Sequence, residues 1–206
     1  MNKPGYLIAI EGIDGSGKST LAHEIKKSLA RQNREILLTQ EPGGTELGSK
    51  LRVLLHEEKK HICDQAEYLL FATDRSQHFE QVVIPALEQN KIVISDRLAD
   101  SSLAYQGYGR GLDILMIKQI NQWAMRNIEP NLVFYIKLDF KTALERIMLR
   151  AQKLTSFETE QELFWERVIK GFEAIFKNRD NVVTLNGTNS IEELAKQATQ
   201  EILNRV

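Results

Sequence analysis

The sequence predicts an α/β fold, a five-stranded parallel sheet flanked by helices, on three observations. Five short runs rich in β-branched or large apolar residues punctuate the chain, at residues 6–10, 35–39, 91–95, 132–138 and 181–185. Most are continuous rather than alternating, which suits strands buried on both faces of a helix-covered sheet. Helical spacing fills the gaps between them, so the order reads βαβα throughout. The first run leads directly into residues 12–19, GIDGSGKS, which fit the phosphate-binding pattern G-x-x-x-x-G-K-[ST].

The run 6–10 and that loop form the first unit. A backbone that cradles phosphates must turn several N–H groups inward, and Gly12, Gly15 and Gly17 remove side chains that would block the approach. Lys18 adds a point charge near the β and γ phosphates, and the Ser19 hydroxyl suits Mg²⁺. A helix starting around Lys18, with Leu21, Ala22, Ile25 and Leu29 on one face, aims its positive dipole end at the same anion. These residues point to a nucleoside triphosphate.

The run 35–39 is followed by QEPGGT, residues 40–45, a tight turn into a helix carrying Leu47, Leu51, Leu54 and Leu55; alone, it is equally a plain strand-to-helix turn. The helical stretch 69–75 sets Phe71 and Arg75 at i and i+4 on one face. There an aromatic ring can stack on a base while a guanidinium meets its edge, although Phe71 alone also reads as core. Pro85, inside a helical pattern, marks a kink or a boundary.

The run 91–95 ends in Asp96 and Arg97, an acid able to orient Mg²⁺ and a fork suited to phosphate, or else a surface pair. Residues 100–111 mix hydroxyls, an amide, aromatic rings and glycines, as expected where a planar polar ligand is read. After the run 132–138, residues 146–158 carry Arg146, Arg150 and Lys153 with weak apolar periodicity. This is either a solvated helix or a lid bringing positive charge to transferring phosphates. A helix with Leu163, Phe164, Val168, Phe172, Ile175 and Phe176 on one face precedes the last run. The final helix opens on a capping box, Ser190 and Glu193, and presents Ile191, Leu194, Ala195, Ala198 and Ile202 to the sheet.

At 206 residues the chain suits one domain. Lys plus Arg (27) nearly balance Asp plus Glu (28), which argues against a nucleic-acid polymer or a membrane surface as partner. The single Cys63 forms no internal disulfide and is expected as a buried thiol in a reducing compartment. No apolar run approaches the ~18 residues of a membrane span, and the first is too short for a signal segment, so a cytoplasmic protein is expected. His23, His56, His61 and His78 show no metal-ligand spacing with one another or with Cys63 and read as structural or exposed. No [NT]-K-x-D guanine signature appears.

Five segments taken together resemble the bacterial thymidylate kinase family in order and spacing: EGIDGSGKST (11–20), EPGGTELG (41–48), LLFATDRSQH (69–78), SDRLADSSLAYQGYGRG (95–111) and ERVIKGFEAI (166–175). The resemblance spans nearly the whole chain. It implies a P-loop NTPase-type three-layer sandwich with a helical lid at about 146–160. It also implies a homodimer, for which the apolar faces around 69–87 and 116–125 are available. The implied reaction moves the γ-phosphoryl group of ATP to dTMP with Mg²⁺, giving dTDP and ADP for dTTP biosynthesis.

By that resemblance Gly12, Ile13, Asp14, Gly15, Ser16, Gly17, Lys18, Ser19 and Thr20 hold ATP, while Ser19 and Asp96 place Mg²⁺. Phe71 stacks on thymine, Arg75 meets the base edge, and Ser102 and Gln106 add polar contacts. Tyr105 closes the space of a ribose 2′-OH, and Arg97 with Arg52 binds the dTMP phosphate. Asp14 lies near the 3′-OH, and Glu41 and Pro42 complete the acceptor site. Lys18, Asp96, Arg97 and Arg150 carry the catalytic roles. Three positions depart from the family pattern: Gln40 where an Arg often precedes EPGG, Leu98 where an aromatic is common, and Ser156 where a lid arginine is expected. Arg150 is assigned as its substitute, because its delocalised fork can bridge two phosphate oxygens and Lys153 cannot. The alternatives are a kinase for another deoxynucleotide or a nucleoside, and a nucleotide-binding protein that has lost transfer activity.

Overall fold

The structure, a computed structural model, describes residues 4–30, 35–56, 62–150 and 154–206. The five apolar runs form β1 (Tyr6–Glu11), β2 (Ile36–Gln40), β3 (Ile92–Asp96), β4 (Leu132–Lys137) and β5 (Val182–Asn186). Each lies within one residue of its expected position. All pair in parallel in the order β2-β3-β1-β4-β5, so β1 is central, with Ala9 opposite both Ser95 and Val133.

Alternate residues of the strands feed two cores, which is why the runs are continuously apolar. On one face Ile8, Ile10, Ile94 and Phe134 pack against Leu21, Ile25, Ala198 and Ile202 of helices α1 (Lys18–Leu29) and α9 (Ile191–Leu203). On the other, Leu7, Ala9, Val93 and Tyr135 meet Phe79, Val83, Trp165 and Phe172. The result is the expected three-layer sandwich. Both halves of the Ser190–Glu193 capping box are formed at the start of α9.

Between these lie α2 (Glu46–His56), α3 (Asp64–His78), α4 (Ile84–Glu88), α5 (Ala99–Ser102), α6 (Ile114–Ala124), α7 (Phe140–Leu149) and α8 (Glu162–Phe176). Pro85 does mark a boundary: α3 widens into a π-helical stretch, Phe79–Val83, and α4 restarts with Pro85 in its first turn, where a missing N–H costs little. A second π-helical stretch, Leu103–Gly109, extends α5.

Among the described residues of the segment 146–160, α7 ends at Leu149 and residues 156–159 form turns. Lys153 and His61 lie outside the described residues. Cys63 departs from expectation, since it precedes α3 as an exposed thiol and not a buried one. Among the described residues no helix is long and apolar enough to cross a membrane.

Candidate active site

The carboxyl ends of β1, β2 and β3 open onto one cavity of about 570 Å³, at the position where open parallel sheets bind ligands. Its floor is the loop after β1. Gly15 (φ 78°) and Gly17 (φ 96°) are left-handed, and a Cβ on Gly15 would sit 2.5 Å from the Ala143 carbonyl oxygen. That turn places Lys18 at the first residue of α1, where its buried Nζ donates to the Ile13 carbonyl at 2.8 Å. Burial, then the neighbouring Arg97, push Lys18 down to about 8. The Ser16 hydroxyl is buried without a partner, a donor left unsatisfied at the loop's centre.

Arg97 follows β3 in a left-handed conformation, φ 71°. Such strain costs on the order of 1–3 kcal/mol and persists only when surroundings hold it. Here Glu11 does the holding: it accepts from the Leu98 N–H at 2.9 Å and from the Ser101 hydroxyl at 2.5 Å. The Ser95 hydroxyl adds a bond to the Arg97 carbonyl at 2.7 Å. The guanidinium is thereby aimed at the phosphate loop, donating to the Gly12 carbonyl (3.0 Å), Ser101 (2.9 Å), Asp14 (2.6 Å) and the Tyr105 hydroxyl (3.1 Å). Burial alone would raise Asp14, but Arg97 and Lys18 overcome it and hold the carboxyl at about 2. Ser19 Oγ donates to Asp96, so hydroxyl and carboxylate sit side by side.

The far end of the cavity is built around Arg75, which is 1% exposed. Its Nε donates to Glu41 (2.8 Å), Nη1 to Asn121 (2.6 Å), and Nη2 to the Leu98 carbonyl (3.2 Å) and Ser102 (3.1 Å). Glu41 also bonds His78 Nδ1 at 2.9 Å, and His78 Nε2 lies 2.7 Å from the Thr39 hydroxyl. Expected as an acceptor-site residue, Glu41 lines the cavity but has its carboxylate occupied in holding Arg75. Arg52 donates to the Pro42 carbonyl at 2.9 Å. Phe71 stands at the wall, 6.0 Å between centroids from Phe157, and Tyr105 sets its edge against the same ring at 5.9 Å.

The opposite wall comes from the last turn of α7 and the residues after it. Arg146 donates to the Gly187 carbonyl at 2.9 Å, and Arg150 is ion-paired with Glu158. Both arginines line the cavity. Ser156 does not; its hydroxyl donates to the Leu55 carbonyl at 2.8 Å.

The cavity thus gathers Asp14, Gly15, Gly17, Lys18, Ser19, Thr20, Asp96, Arg97 and Arg150 with Glu41, Pro42, Arg52, Phe71, Arg75, Ser102, Tyr105 and Gln106. Gly12, Ile13 and Ser16 lie behind its surface, as backbone and buried groups. Sequence reasoning missed His56, Phe157 and Glu158, which line the cavity, and Asn121, which braces Arg75 from α6. Phe157, an isolated aromatic in a charged stretch, was the one such signal available. His78, read as structural or exposed, is fully buried in the Glu41 bond network.

Residues 10–198 match the family model described as thymidylate kinase. The thymidylate kinase of Halothermothrix orenii is 38% identical over 200 residues, covering 96% of each chain. That of Kosmotoga olearia is 39% identical over 198 residues, covering 95% of this chain and 94% of its own. The crystal structure of thymidylate kinase from Ehrlichia chaffeensis superposes with a TM-score of 0.78 at 31% identity, over 97% of this chain and all of that one. With the phosphate loop, the Asp96–Arg97 corner and the Arg75 pocket joined in one cavity, the chain belongs to the thymidylate kinase family.

Proposed function

We propose that the protein transfers the γ-phosphoryl group of ATP to dTMP, giving dTDP and ADP. The observation that carries this reading is one cavity with a phosphate-binding loop at one end and, at the other, an aromatic wall beside a braced arginine, in a chain of this family.

ATP phosphates rest against the loop N–H groups and Lys18, with the Ser16 hydroxyl as a further donor. Ser19 and Asp96 fit Mg²⁺: a hydroxyl and a carboxylate in contact are hard oxygen donors of the kind that cation shares with phosphates and waters. When bound, the ion neutralises charge between the β and γ phosphates. Among the described residues there is no cluster of three or more His, Cys, Asp or Glu that could form an all-protein cage.

Phe71 stacks on the base, and Arg75 with Ser102 and Gln106 meets its polar edge. Arg97, with Arg52, holds the acceptor phosphate in line with the γ-phosphorus. A phosphate monoester has its second pKa near ~6, so the attacking oxygen is already ionised and no general base is needed. Arg150 supplies the transition-state charge that Ser156 cannot, leaving Glu158 for the phosphates as the 146–160 segment closes and excludes water. The protein acts in the cytoplasm as a homodimer.

Incubation with γ-labelled ATP, Mg²⁺ and dTMP, followed by chromatography of the nucleotides, tests the reading. Label in dTDP is expected; label only in inorganic phosphate would overturn it.

A further inference from the structure

Gln106 lines the cavity yet is 2% exposed, and its amide is not free to turn. Its Nε2 donates to Glu67 Oε1 at 2.8 Å. A carboxylate only accepts, so the amide nitrogen must face it, whatever the side chain's intrinsic preference. Its Oε1 makes no hydrogen bond to any described residue. Glu67, 8% exposed, is in turn clamped by Arg110, whose Nε and Nη2 reach Oε1 and Oε2 at 3.3 and 3.1 Å. Arg110 is anchored at its other end by Glu160 at 2.6 Å and lies 4.7 Å from the centroid of Phe164. Inverting the amide would set its carbonyl oxygen against the Glu67 carboxylate, acceptor against acceptor, and turn the NH2 group toward the cavity.

We propose that Glu67 is a specificity-determining positioning residue: by fixing the Gln106 amide, it makes the cavity present a hydrogen-bond acceptor beside the donor of Arg75. Four of the five Arg75 N–H groups are engaged by the protein, which leaves one Nη1 hydrogen for a ligand. An acceptor next to a donor matches a pyrimidine imide, which offers N3–H and a carbonyl oxygen. Cytosine offers N3 as acceptor and an amino group, so both contacts become like against like. Sites that hydrogen-bond a substrate group reject analogues lacking it far more strongly than apolar pockets reject a missing methylene, because buried polar groups are left unpaired. Glu67 touches no substrate, and its role is transmitted entirely through Gln106.

This inference rests on the dTMP reading above and is tested so that the two can fail separately. Glu67→Gln keeps the size of the side chain but offers either an acceptor or a donor, so the Gln106 amide can turn. Steady-state kinetics and calorimetric binding are measured for wild type and variant with dTMP and with 5-methyl-dCMP, which keeps the methyl group and changes only the polar edge. The expected result is a fall of at least about tenfold in the dTMP preference, with KM for dTMP rising and its kcat within about threefold. Arg110→Gln, which loosens the clamp without touching Gln106, should shift the preference the same way by less. An unchanged preference in both variants, with both substrates losing equally, would overturn the proposal and leave Glu67 merely structural. If wild type turned over neither nucleotide, the kinase reading would fail, and the ratio of binding constants would still decide the role of Glu67.

Discussion

Arg97 Nη2 donates to Asp14 Oδ1 across 2.6 Å, joining the end of β3 to the phosphate loop. The same guanidinium reaches the Gly12 carbonyl, so one side chain ties the β3 corner to the phosphate loop at two points. Arg97→Lys should lower kcat/KM for dTMP by about 10²-fold, because a point charge cannot reproduce a four-partner fork. Steady-state kinetics on variant protein with native circular dichroism check this; a loss under threefold would contradict the assignment.

Arg150 lines the cavity while paired to Glu158, and Ser156 is turned away to Leu55. Removing a transition-state arginine costs about 10³–10⁵ in rate where it is the sole finger. Arg150→Ala should therefore lower kcat by at least about 10²-fold, with little change in KM for ATP. Full turnover would show that another group, such as Arg146, supplies the charge.

The depressed Lys18 gives ATP binding a pH dependence. Burial and Arg97 favour its neutral form, so in the free protein it loses its proton as pH rises through about 8. Phosphates require the charged form, so affinity should be level below pH 7.5 and then weaken toward about tenfold per pH unit above 8. Calorimetric titration with ATP from pH 6.5 to 9.5 reads the slope directly, and a flat profile would remove Lys18 from that role.

Glu11 carries the opposite kind of signal. Burial, and then the Asp100 carboxylate, push it up to about 7 from an ordinary value of 4.5. The folded state therefore binds its proton more tightly than the unfolded state between those values. Its contribution to stability is full below about 4.5 and is lost as pH rises through about 7. Glu11→Gln keeps an acceptor for the Leu98 N–H and removes the charge. Its Tm should exceed that of wild type at pH 8 and match it near pH 4.5; the reverse order would show that the charged carboxylate is the stabilising form.

The sheet was legible because strands buried on both faces need continuous apolar runs. The phosphate loop was legible for a similar reason: at Gly15 only glycine fits beside Ala143. Residues that act through other residues were not. Asn121 is an ordinary helical amide until the packing of α3 on α6 brings it 2.6 Å from Arg75. Likewise, Glu41 and His78 are 37 positions apart and meet only through the tertiary fold. The π-helical stretches at 79–83 and 103–109 carry no periodicity that separates them from α-helix, so neither was visible. Cys63 was misjudged on average behaviour: free thiols are usually buried, but this one sits at the exposed start of α3.

The most direct test is ADP release from ATP and Mg²⁺ with dTMP, dUMP, dCMP, dGMP and thymidine offered separately as acceptors. The account predicts rapid turnover with dTMP, weaker turnover with dUMP, and release near background with the other three. Background release with all five, despite measurable ATP binding, would contradict it and make Ser156 the mark of a protein that binds nucleotides without transferring phosphate.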